Sequence, residues 1–194
     1  MGLIILVLGL VILLGAHVFV TFRDARAALI ARLGQGYRVL FTLVSLAGLA
    51  LVVWGFAEYR AYEWVQIWLP PPVMRHVAMP LVLLAVIFLV SAFVPCHIRK
   101  WLKHPMLTSV KTWALAHLLT NGDLGGILLF GSFVLWGGYS RAAAKRRGDS
   151  GAAAKPSPTG WTNDVVVVVL GTAIFLALGF WFHPNVIGVP VFWR

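Results

Sequence analysis

From the first residue onward, long apolar runs alternate with short polar breaks, and the runs have the length of membrane crossings. Six stretches, at about 2–22, 37–57, 76–95, 106–121, 124–140 and 164–182, read as helical spans. A helix needs ~20 apolar residues to cross ~30 Å of hydrocarbon. Helical periodicity adds little, since helices inside a bilayer are apolar on most faces. Punctuation sets the ends instead. Gly34 and Gly36 precede the second run, Pro70 to Pro72 precede the third, Pro95 ends it, and Pro105 suits the first turn of the fourth. The expected fold is all-α: a polytopic membrane helix bundle of about six transmembrane helices, forming one domain over residues 1–194.

Composition agrees with this reading and narrows it. Of the 194 residues, 60% are hydrophobic and 11% charged, more apolar surface than a water-soluble domain of this size could cover. The formal net charge of +10 does not point to nucleic acid, because the basic residues fall in the connections, where they meet anionic lipid. The first connection carries Arg23, Arg26, Arg32 and Arg38, the third Arg99, Lys100, Lys103 and Lys111, and the fifth Arg141, Lys145, Arg146, Arg147 and Lys155. Only Arg60, Arg75 and Arg194 fall on the other side. The positive-inside rule then makes the odd connections cytoplasmic and puts both termini outside. Residues 141–163 read as a flexible, basic cytoplasmic loop, with helix near its alanines. No basic residue precedes the first run, so it reads as a retained span rather than a cleaved signal.

Ionisable residues inside spans are expensive and mark candidate sites. His17 lies in the first run and His117 in the fourth. Continued as one helix, the first run puts His17, Thr21 and Asp24 on one face, where Thr21 or Asp24 could fix the imidazole tautomer. In the fourth run Trp113, Ala114, His117 and Asn121 share a face: an aromatic wall, a small residue and a polar partner. Two imidazoles from different helices are a common means of holding a b-type haem. They are equally the polar groups that tie neighbouring membrane helices together. His97, His104, His76 and His183 sit at span ends and read as solvated, although His104 leads with Pro105 directly into the fourth run. Asn121-Gly122-Asp123 is a turn signal between the fourth and fifth runs. The single cysteine, Cys96, permits no internal disulfide, and without a CxxCH motif there is no covalent c-type haem. No P-loop, GxSxG, HExxH or interior carboxylate pair occurs, which disfavours hydrolysis.

The run RKWLKHPMLTSVKTWALAHLLTNGDLGG at 99–126 resembles the NnrU family, as do the His17 helix, YRVLFTLVS at 37–45 and HPNVIGVPVF at 183–192. The likeness spans most of the chain outside 141–163. It implies a six-span protein of the bacterial inner membrane, linked to denitrification and nitric oxide metabolism. The family is similar to plant and cyanobacterial 15-cis-zeta-carotene isomerases, which use a non-covalent b-type haem. Through that similarity His117 matches a haem-ligand histidine, His17 the other ligand, and His104 a further histidine important in those enzymes. Trp113 and Asn121 would then surround the cofactor. Where the isomerases carry a cysteine three residues before the matched histidine, this chain has Ala114, so a His/Cys ligand exchange is not available to it.

Two functions follow as expectations. One is a haem b protein of redox or isomerase type, with His17 and His117 as iron ligands. Its partners would be the lipid bilayer, nitric oxide or an apolar small molecule, and a membrane redox partner. Gly48, Ser91, Gly131 and Gly138 would leave the lipid-facing gap that an apolar substrate needs. The other is a non-enzymatic accessory factor for a neighbouring haem enzyme such as nitric oxide reductase.

Overall fold

The computed structural model describes residues 1–154 and 160–192. Among them eight α-helices follow one another: α1 (Gly2–Phe19), α2 (Arg23–Leu33), α3 (Gly36–Tyr62), α4 (Met74–Ser91), α5 (His97–Leu102), α6 (Pro105–Thr120), α7 (Leu124–Arg146) and α8 (Thr162–Ala177). A 3₁₀ turn spans Gly151–Ala154, and α8 continues as a π-helical segment over Leu178–Ile187. No strand forms among the described residues; an isolated bridge pairs Gln66 with Asp123. Five helical stretches are long and apolar enough to cross a membrane: Gly2–Phe19, Gly36–Tyr62, Met74–Ser91, Leu124–Arg146 and Thr162–Ile187. Helix α6 occupies the expected fourth span but has 16 residues, about 24 Å at 1.5 Å per residue, short of the ~30 Å hydrocarbon thickness. This is a multi-pass, all-α membrane architecture.

Two helices arise where connections were expected. RDARAALIARL forms α2, which has no buried residue. Its Ala, Leu and Arg are strong helix formers, and no Gly or Pro interrupts them until Gly34. The hexapeptide HIRKWL forms α5 after Cys96, whose Sγ accepts the Arg99 amide at 3.4 Å. Helix α7 runs past residue 140 through the alanines to Arg146. Of the expected loop at 141–163, residues 155–159 lie outside the described residues.

The chain divides into two compact units. One comprises Met1–Pro71 and His117–Ala143, the other Pro72–Ala116 and Ala144–Arg194, so the boundary cuts α6 between Ala116 and His117. The first unit is built on an antiparallel α1/α3 pair with glycines on both sides. A Cβ on Gly9 would stand 2.6 Å from the Val52 amide nitrogen, and one on Gly48 would stand 2.8 Å from that of Leu13. Gly2 meets Tyr59 and Gly55 meets Leu6 in the same way. Such close backbone approach is how membrane helices gain packing where no hydrophobic effect separates helix from lipid.

Carboxylates tie down the ends of this unit's helices. Glu63 accepts the Gly2 amide at 2.7 Å and the Leu3 amide at 3.1 Å, satisfying donors that the first turn of α1 leaves unpaired. Asp123, 1% exposed, caps α7 by accepting the Gly126 amide at 2.7 Å. The Gly122 carbonyl takes the amides of Ile67 and Trp68 at 2.8 and 3.0 Å. A side chain on Gly122 would strike the Trp68 carbonyl, so the expected turn also requires glycine for space.

The second unit packs α4 against α8 around Ile87, Val90, Cys96 and Val167. Gly171 of α8 lies against Ile87 of α4, where a Cβ would come within 2.8 Å of Ile87 Cγ1. Ser109 of α6 donates to the Ala85 carbonyl at 2.7 Å.

Candidate functional site

Near the C-terminal end of α1, the Nδ1 of His17 lies 2.8 Å from the Leu13 carbonyl oxygen. A carbonyl only accepts, so Nδ1 carries a proton, and in the neutral tautomer this selects, the lone pair lies on Nε2. Thr21 and Asp24 do not perform this role. Helix α1 stops at Phe19, so the face expected to join 17, 21 and 24 does not exist, and exposed Asp24 belongs to α2. Thr21 Oγ1 instead donates to the Val18 carbonyl at 2.7 Å and accepts from Tyr139 at 3.0 Å.

Aromatic rings surround the imidazole. Phe41 of α3 lies 5.2 Å away between centroids, and Trp136 of α7 meets it edge-on at 5.8 Å. Trp136 Nε1 is buried without a hydrogen-bond partner, and so is Ser45 Oγ. Ser45 lies one turn from Phe41 and three residues before Gly48, on the face of α3 that meets α1. The antiparallel register, Leu13 against Gly48, brings residues 44 and 45 to the level of His17. Two unpaired buried donors therefore accompany an imidazole that keeps a lone pair. Buried polar groups are rarely left without partners, and each such group calls for an explanation. Nothing in the amino-acid pattern singles out Trp136 or Ser45, because only the register of α3 and α7 against α1 brings them beside His17.

His117, one turn before the end of α6, stacks on Phe130 of α7 at 4.8 Å and 28°. Its carbonyl receives the Asn121 amide at 2.9 Å, Asn121 Nδ2 at 2.7 Å and Thr120 Oγ1 at 3.2 Å. Asn121 thus closes the last turn of α6. His17, His117 and Asn121 all belong to the first unit. The imidazole neighbours on α7, Trp136 and Phe130, are six residues apart, so the two histidines sit at levels about 9 Å apart along that helix.

Trp113 and His104 belong to the second unit. His104 Nε2 lies 3.2 Å from the Asp149 carbonyl and donates to it, so this ring serves in a structural bond. Ala114 is fully buried. Among the small residues expected to leave a gap, Gly48 is filled by Leu13 and Ser91 is buried, bonded to the Phe88 carbonyl at 2.7 Å. Open space remains at Gly131 and Gly138, where a Cβ would have no atom within 4 Å.

His97, expected to be solvated, is held within the second unit. Its Nδ1 lies 2.8 Å from Asp164 Oδ2, and its ring stacks on Trp161 at 4.3 Å. Asp164, 6% exposed, also accepts the Ile98 amide at 3.0 Å and so caps α5 from a distant part of the chain. Neighbouring Cys96 is buried, and that burial pushes its thiol up from the ordinary value. Among the described residues no three His, Cys, Asp or Glu side chains converge as an ion site; a haem iron asks the protein for only one or two ligands.

The model of the NnrU protein family matches residues 5–191. The chain belongs to the NnrU family. No curated protein and no solved structure matches it. In this NnrU chain the matched region takes in both unit cores, the His17 surroundings and the Asn121 to Asp123 turn.

Proposed function

We propose that this NnrU protein binds a non-covalent haem b in its first unit, where His17 and His117 are the imidazoles that would hold it. One observation supports the reading: the bond from Nδ1 to the Leu13 carbonyl leaves Nε2 available to serve as a ligand atom. A hydrogen bond from the far ring nitrogen to a backbone carbonyl orients metal-binding histidines and raises their basicity. The rings of Phe41 and Trp136 suit a porphyrin's apolar faces, and Trp136 Nε1 and Ser45 Oγ are donors without a protein partner. His17 would hold the iron, Phe41 and Trp136 would exclude water, and Trp136 would donate to a polar group of the bound cofactor or its ligand. The haem would supply one-electron redox chemistry, or binding of a small gas such as nitric oxide if an axial position opens. The positive-inside rule would turn the arginine- and lysine-rich connections to the cytoplasm, and with the short helix α6 as a sixth crossing both termini would lie outside a bacterial inner membrane.

The test is spectroscopic. Protein purified in detergent, or titrated with haemin, should show a Soret band saturating near one haem per chain and sharp α and β bands on reduction. A spectrum that stays that of free haemin in the same detergent at every haemin concentration would overturn the proposal.

A further inference from the structure

The connection between α5 and α6 holds a feature the haem reading does not use. An open cavity of about 430 Å³ lies at this corner of the second unit. Arg99, Lys103 and His104 line it together with apolar Met106, Leu107 and Ala152. The volume falls within the range typical of small-molecule sites, ~300–1,000 Å³.

The backbone around the cavity is constrained. Lys103 has φ +64°, the one positive-φ residue other than glycine among those described. It forms the centre of a γ-turn in which the His104 amide bonds the Leu102 carbonyl at 2.7 Å, a rare and strained arrangement at positive φ. Two bonds to a distant segment hold it. The Ala152 amide donates to the Lys103 carbonyl at 2.7 Å, and His104 Nε2 donates to the Asp149 carbonyl at 3.2 Å. Gly151 is required in this contact, since a Cβ there would strike the Lys103 carbonyl. Strained residues persist where the surroundings over-determine them, often at ligand sites.

The charges of the corner are unbalanced. No salt bridge to Arg99 or Lys103 forms among the described residues. The nearby acid, Asp149, turns its Oδ1 onto the Gly151 amide at 2.8 Å. A cationic rim beside an apolar wall, in a connection that the charge pattern assigns to the cytoplasmic side, matches an amphiphile with a phosphate head. Basic pockets at this membrane level bind anionic headgroups.

We propose that the α5–α6 cavity is a binding site for the phosphate headgroup of an anionic phospholipid. Arg99 and Lys103 contact the phosphate, and Met106, Leu107 and Ala152 face its glycerol and first acyl carbons. His104 is the positioning residue that pins the corner to residues 149–152.

Native mass spectrometry of delipidated protein, titrated with phosphatidylglycerol, phosphatidylcholine or inorganic phosphate, tests this. Phosphatidylglycerol should bind at least tenfold more tightly than phosphatidylcholine. Arg99→Gln/Lys103→Gln should lose roughly tenfold in that affinity, whereas Arg141→Gln/Lys145→Gln should retain it. Lys103→Gln alone, at an exposed side chain, gives the same reading at smaller amplitude if the double variant fails to fold. Equal binding of the two lipids, or unchanged affinity in the cavity variants, overturns the site. Displacement of the lipid by equimolar inorganic phosphate overturns the lipid assignment and leaves a free-phosphate site.

Discussion

At the residue scale, acidic side chains serve mainly as helix caps. Of six Asp and Glu residues, four accept amides at helix starts: Glu63 from α1, Asp123 from α7, Asp149 from the 3₁₀ turn and Asp164 from α5. Helix starts leave amides unpaired and carry partial positive charge, so a carboxylate there satisfies both. Asp164 joins the amides of His97 and Ile98 and the His97 ring. Asp164→Ala leaves those donors without an acceptor, at a cost of about 3 kcal/mol. For a chain of this size, that should lower the detergent-solubilised Tm by roughly 6–12 °C, while Asp24→Ala, at an exposed position, should not move it. Equal melting of the two variants would remove the cap from the account. The pairings of Glu63 and Asp164 are not visible in the sequence, because these residues lie sixty or more positions from the amides they cap.

At the element scale, the spans are legible because length and punctuation suffice for membrane helices. Residues 2–22, 37–57, 76–95, 124–140 and 164–182 are each expected as spans, and long apolar helices occupy all five regions. The ends are less legible. Helix α3 runs on to Tyr62 and α7 to Arg146, because polar residues that leave the hydrocarbon still favour helix. Helix α2 is hidden by its polarity, which reads as a connection. The α1/α3 contact is hidden too: glycine spacing shows closeness only once a partner helix is known. Gly9→Leu should cost about 1–3 kcal/mol or more, since nothing between α1 and the Val52 backbone can yield. Gly15→Ala, with no atom within 4 Å of the new Cβ, should leave stability within about 0.5 kcal/mol. Chemical denaturation in mixed micelles separates the two, and similar midpoints would contradict the packing described.

At the scale of the whole molecule, the candidate site is half legible. The cost of burying an imidazole singles out His17 and His117, and both fall in one compact unit. The groups around His17 are not legible, since Leu13, Phe41, Ser45 and Trp136 gather through helix ends and register. The central claim is that the free Nε2 of His17 is an iron ligand, and its most direct test is chemical rescue. The spectrum of haem-loaded His17→Gly should lose the low-spin signature of the parent protein and recover it when millimolar imidazole is added. A His17→Gly spectrum identical to that of the parent, with no response to imidazole, would contradict the claim and leave His17 as an interhelical packing residue.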